Sequence, residues 1–249
     1  KRQALILLLQ PYEWGRAIYA MINPDYVVAT GHYMPYAIRA QEATANGNFF
    51  EVLCSNISDG QLYSNIWQVE NGRLFQTAAL FMFGMLLGRR KYLIKSEESV
   101  RFWKKMLKGA VLAFIPLYCL KTFVPDLLTN PSVQIPYKIA VPSYANFAFM
   151  IILVSIFTLL WFKKEKGYGW QSLLIPYGRM SLTNYISQSI MGVIIYYGFG
   201  LAMYKYAGAT ASLLIALLIF TVQLIFSRWW LARHKQGPLE FLWRKGTWI

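Results

Sequence analysis

The sequence predicts an all-α, polytopic membrane bundle of about six membrane helices, with an outer amphipathic loop region. Three observations lead there. Hydrophobic residues make up 56% of the 249 and charged residues only 14%, where a soluble domain carries about 25% charged residues. There are 9 Trp and 17 Tyr, the residues that membrane–water interfaces favour. The 25 Lys and Arg, which set a net charge of +14, gather in alternate connections between apolar runs. Spaced that way, they read as topology signals and contacts to anionic lipids rather than as a nucleic-acid footprint. The mean hydropathy of +0.34 agrees.

The first apolar stretch, Gln3 to Ile22, has the ~20 residues a span requires. It contains Pro11, Glu13 and Arg16, so it is either a broken helix or a short helix followed by an interfacial one. Clearer segments are Leu74 to Leu87, Gly109 to Phe123, Ala140 to Phe162, Ser181 to Leu201 and Ala209 to Phe226. The first two of these are short and extend into their flanks.

The connections set the orientation. Gly88 to Lys108 carries Arg89, Arg90, Lys91, Lys95, Arg101, Lys104, Lys105 and Lys108. Lys163, Lys164, Lys166 and Arg179 fill a second basic linker, and Arg228, Arg233, Lys235, Arg244 and Lys245 fill the tail. Between them lie loops holding one basic residue each: Arg39 in Asn23 to Gly72, Lys138 in Pro125 to Ile139, Lys205 in Ala202 to Thr210. The positive-inside rule places the basic linkers and the C-terminus in the cytoplasm. Six crossings satisfy every loop. Residues 1–249 then form one integral-membrane domain, with 23–72 as its extracytoplasmic, interfacial region.

Within 23–72, aromatic clusters such as "NFFEVL" and "QLYSNIW" predict amphipathic helices on the outer face, turning at Asn46-Gly47. In "KSEESVRFWKKMLK", Ser96 caps a short helix. Gly237 ends the last membrane helix and Pro238 opens a new one. Glu240 and Arg244 there have the i,i+4 spacing of an ion pair. Trp229, Trp230, Trp243 and Trp248 form an interfacial belt.

The motifs of soluble enzymes are missing: no phosphate-binding glycine loop, HExxH, GxSxG or nucleotide fingerprint occurs. No metal site or resident cofactor is identifiable. Cys54 and Cys119 show no CxxC or metal spacing. Both fall on the outer side, where a disulfide is geometrically open, although buried free thiols are the commoner arrangement. His234 sits in the basic tail "ARHKQG", either solvated or touching lipid headgroups. His32, in "ATGHYMPY", is the one catalytic candidate, a general base beside an embedded site; as a plain loop histidine it has no role.

Several polar residues are candidates for lining a cavity. Glu13 and Arg16, at i,i+3, either pair in a cavity or reach headgroup water. Arg73 and Gln76 open a segment whose Gly84 and Gly88 have GxxxG spacing for close helix packing. In "YGRMSLTNYISQS", Ser181, Asn184, Tyr185 and Gln188 share one helical face. Such a polar stripe cannot face lipid without cost. It either glues helices together, with Gln223 as a partner, or lines a substrate path. Arg179 puts a cation at its entrance.

"RLFQTAALFMFGMLLGRR", "YGRMSLTNYISQS", "GPLEFLWR" and "LLLQPYEWGR" together resemble the YeiB-like family of bacterial inner-membrane proteins (domain of unknown function 418). The resemblance covers essentially the whole chain. It implies a C-terminal portion of a longer protein, whose N-terminal helices would be its partners. It also implies a distant similarity to multi-pass membrane acyltransferases, which acylate extracytoplasmic sugars from a donor such as acyl-CoA. In those relatives the catalytic residues tend to sit in the N-terminal helices. Arg179 would then attract donor phosphates. Transport of a small solute and a non-catalytic scaffold are the alternatives, the first using Pro11, Pro142 and Pro176 as helix breaks.

Overall fold

The computed structural model describes residues 10–23, 25–163 and 169–247. The expectations for residues 1–9, Lys164, Lys166 and Trp248 lie outside them. Every regular element among the described residues is helical. In order these are α1 (Pro11–Ile22), α2 (Met34–Asn46), α3 (Phe49–Ser55), α4 (Gln61–Glu70), α5 (Arg73–Arg89), α6 (Glu97–Phe123), α7 (Pro131–Lys163), α8 (Trp170–Arg179), α9 (Ser181–Tyr196), α10 (Ala209–Leu231) and α11 (Pro238–Thr247). The stretch 23–72 holds α2 to α4, with a π turn over Asn56–Gly60 and the expected break at Gly47.

Several boundaries differ from expectation. The apolar run from Gly109 fuses with the basic stretch before it into one helix beginning at Glu97, because nothing between them breaks the backbone. The Ser96 hydroxyl caps it, accepting from Ser99 N at 3.0 Å. The run expected from Ala140 begins at Pro131, where proline suits the first helical position and Asn130 accepts from Ser132 N. Pro136 and Pro142 lie inside this helix without ending it. Ser143 Oγ donates to Ile139 O at 2.8 Å, back-bonding beside the second proline.

The helix from Ser181 stops at Tyr196, not Leu201. Tyr197 turns extended, and Gly198 N donates to Thr44 O at 2.9 Å. Among the described residues, three helices are long and apolar enough to cross a membrane: α6 with its extension to Leu127, α7, and α10. α5 and α9, at 17 and 16 residues, fall short of the ~20 that a straight span uses.

The chain divides into two compact units. The first joins residues up to Pro35 with Leu62–Lys163. α7 is its spine, with α6 and α1 packed on it. Buried alanines (Ala140, Ala145 and Ala148 on α7, Ala17 and Ala20 on α1) let backbones approach closely. Trp14 Nε1 donates to the Tyr144 hydroxyl at 2.7 Å across that contact. Gly84 and Gly88, expected to seat a neighbouring helix, meet open space among the described residues.

The second unit joins Tyr36–Gln61 with the chain after Lys163. In it α8 packs on α10, and α9 contacts α8, α10 and α11. Cys54 lies in the second unit and Cys119 in the first; both are free thiols and both are exposed, not buried.

Candidate functional site

The polar stretch "YGRMSLTNYISQS" builds a helix break. α8 ends at Arg179, Met180 leaves helical geometry, and α9 starts at Ser181. Met180 is fully buried. A break strands amides at the new N-terminus and carbonyls at the old C-terminus, and in an apolar setting each needs a partner. Side chains supply them. Glu240 of α11 accepts from Leu182 N at 2.9 Å, Thr183 N at 3.1 Å and Thr183 Oγ1 at 2.6 Å. Thr183 Oγ1 in turn accepts from Leu239 N. At the other end, Asn184 Nδ2 donates to Tyr177 O at 3.0 Å. A side chain on Gly237 would push against the Glu240 carboxylate and shift it from its place beside Thr183.

Glu240 therefore does not form the expected pair with Arg244. Burial alone would raise its carboxyl; the hydrogen bonds from the Thr183 hydroxyl and from the Thr183 and Leu182 amides outweigh that and hold it below its ordinary value. Arg179 donates to Lys235 O at 2.8 Å and so ties the tail to the end of α8.

The inward face of α9 is Thr183 and Asn184, both buried, with Ser187 half-buried beside them, rotated from the expected stripe. Tyr185 is 71% exposed, and Gln188 is exposed too. Asn184 exchanges hydrogen bonds with Ser227. Gln223 Nε2 donates to Asn184 O at 2.8 Å and Ser187 Oγ at 2.9 Å, while its oxygen accepts from the Tyr177 hydroxyl. Asn184 and Gln223 thus come together as interhelical glue. Gln188 instead lines a small cavity of about 210 Å³ with Tyr177, Gly192, Tyr196 and Gln223.

The second constellation lies in the first unit, around His32. Its Nδ1 sits 2.5 Å from Glu70 Oε1. The same carboxylate accepts from the backbone amides of His32 at 3.1 Å and Gly31 at 2.9 Å. Gly31 has φ +84°, a conformation that glycine allows freely. The loop before it is pinned as well: Val28 N donates to Ser132 Oγ, and Arg16 Nη2 donates to Ala29 O at 3.0 Å.

Arg16 is itself held by Glu13 at 3.3 Å, and both side chains are buried, at 10% and 0% exposure. This pair therefore sits in protein, not in headgroup water, and it positions the histidine loop. Arg73 donates to Gln76 Oε1 at 2.8 Å and lies over the Trp67 ring.

A carboxylate on Nδ1 fixes the imidazole tautomer and orientation, so the Nε2 lone pair is presented outward. The His32 side chain is 64% exposed, open to a reactant from outside. Sequence reasoning found His32 but not Glu70, which lies 38 positions away on another element; nothing local distinguishes it from the other acids between residues 23 and 72.

Residues 87–249 match the family model described as "Protein of unknown function (DUF418)". The chain belongs to this family. The match takes in α6 to α11 and the helix break, while His32, Glu70, Glu13 and Arg16 precede it. Relatives include "Uncharacterized protein YxaH" of Bacillus subtilis, 42% identical over 72 residues, which are 29% of this chain and 18% of the relative. A second is "Uncharacterized 39.9 kDa protein in amylase 3'region" of Bacillus acidopullulyticus, 45% identical over 76 residues, 30% of this chain and 21% of the relative. "Uncharacterized protein YeiB" of Escherichia coli is 36% identical over 70 residues, 28% of this chain and 18% of the relative. The matched stretches thus span about a fifth of these relatives' length. No solved structure matches. Family membership and three membrane-length apolar helices together mark a helical membrane protein.

Proposed function

We propose that the protein takes part in acyl transfer to a hydroxyl-bearing sugar or lipid of the bacterial envelope, with His32 as general base and Glu70 as its orienting partner. The observation that carries this reading is the imidazole–carboxylate pair, in a loop tethered by Ser132, Arg16 and Glu70. Neutral His32, its Nδ1–H held by Glu70, takes a proton at Nε2 from the acceptor hydroxyl. The acceptor oxygen attacks the acyl carbonyl of a thioester donor such as acyl-CoA. The new C–O bond forms, the C–S bond breaks, and the departing thiolate recovers the proton from the imidazolium. Glu70 stabilises that imidazolium while it exists.

The positive-inside rule supports an inner-membrane setting, with Arg89, Arg90, Lys91 and the C-terminal tail in the cytoplasm. Glu70 closes α4 just before α5, and the 17 residues of α5 put about 25 Å of helix between its start and its basic end. The acyl group of a donor from the cytoplasm would have to travel that distance, because attack needs donor and acceptor in contact at His32.

A solute carrier would use a helix break whose backbone groups remain free for its cargo. At Met180 those groups are engaged by Glu240 and Asn184, which favours chemistry over transport. The test compares envelope glycans and lipids, by mass spectrometry, from cells carrying the parent or His32→Ala. The expected result is a defined species that lacks one acyl group in the variant. Identical acylation in both at equal protein levels would sink the proposal.

A further inference from the structure

Between α6 and α7 runs a cavity of about 860 Å³, within the range of small-molecule sites. Small residues open it: Gly109, Ala110 and Ala113 on α6 face Ala148 on α7, leaving a trough that Leu and Phe side chains would have filled. Its walls are apolar along most of their length. Lys105 and Lys108 line one end, and the lining reaches Leu117 along α6. That is about 18 Å of helix, close to the depth of one leaflet of a ~30 Å hydrocarbon core. From Lys105 to the end of α6 at Phe123 is about 27 Å, so a membrane crossed by this helix puts Lys105 near headgroup level, with Lys108 one turn deeper and able to snorkel up to it.

No acidic residue lines the trough. Neither lysine has an ion-pair partner among the described residues. Arg101 and Lys104 add positive charge a turn away. The trough is therefore a slot of acyl-chain length with a cationic mouth, Glu97 and Glu98 lying about two turns away at the start of α6. A free phosphate would use only the mouth, and a zwitterionic lipid would offset the phosphate with its own cation. We infer that the α6–α7 groove binds an anionic phospholipid, one acyl chain lying along Gly109 and Ala113 and the phosphate meeting Lys105 and Lys108. This site is independent of the His32–Glu70 reading and survives its failure.

The experiment titrates the purified protein with phosphatidylglycerol or phosphatidylcholine, reading bound lipid by native mass spectrometry. Each juxtaposed lysine adds about five-fold to anionic-lipid binding, so phosphatidylglycerol should bind about 25-fold better. Lys105→Ala with Lys108→Ala should abolish that preference, and the paired arginine substitutions should keep it. Ala113→Phe, which fills the trough, should weaken both lipids. Inorganic phosphate at matched concentration should displace neither. Equal binding of the two lipids by the parent would overturn the proposal. So would a preference that survives the double alanine variant, unchanged binding in Ala113→Phe, or displacement by phosphate alone.

Discussion

Replacing Glu240 with Ala removes the acceptor for two backbone amides and one hydroxyl at the start of α9. Charge-assisted hydrogen bonds contribute about 1.5–3 kcal/mol each when fully buried. Glu240 is only half-buried, so water can re-solvate part of what is exposed. The scale of a lost N-cap, about 0.5–2 kcal/mol, is the better guide. The Thr183 hydroxyl, buried with its residue, adds to that. We expect a loss of about 2 kcal/mol, which lowers the unfolding midpoint by about 4–8 °C for a chain of this size.

The assay is thermal unfolding in detergent, followed by tryptophan fluorescence. It also has a pH signature. The folded carboxyl sits below its unfolded value, so its stabilisation is full above about pH 4.3, the ordinary Glu value. It disappears as pH falls through the lower folded value. The gap between parent and variant should stay constant near neutrality and close in acid. A Glu240→Ala protein that melts within about 1 °C of the parent, or a gap that widens in acid, refutes the assignment of Glu240 as a cap.

Two further outcomes follow from the same geometry. Asn184 and Ser227 exchange hydrogen bonds in a buried site, so a double-mutant cycle to Ala should give a coupling of about 0.6 kcal/mol and no more than about 1.7; chemical-denaturant melts would measure it, and zero coupling would remove the pair from the account. Gly198→Ala would drive a methyl into the Ala45 carbonyl, so limited proteolysis should cut near residues 44–48 faster than in the parent, whereas Gly192→Ala, which meets open space, should leave the digest unchanged.

Much of the fold could be read from composition and charge spacing, because apolar run length and Lys/Arg asymmetry are local quantities. α10, the Ser96 cap and Pro238 at the head of α11 follow from a few neighbouring residues each. What escaped was non-local. Pro176 and Gly178 lie just before Met180 but sit inside α8; the break itself is held by partners distant in sequence, Glu240 and Ser227 among them. Helical periodicity placed Tyr185 on the inner stripe. The tether between Thr183 and Glu240 instead selects a rotation that buries Thr183 and Asn184 and turns Tyr185 out. In the same way, Glu13 and Arg16 were legible as a pair from their spacing. Their hold on the loop before His32 was not, since Ala29 enters through its backbone carbonyl.

The most direct test of the His32–Glu70 assignment is the rate at which membranes carrying the protein move a labelled acyl group from acyl-CoA to an envelope acceptor. A positioned general base contributes about 10²–10⁴-fold. The account predicts a loss of that size in His32→Ala, and a smaller loss in Glu70→Gln, at unchanged protein level. Equal rates in parent and His32→Ala would contradict it.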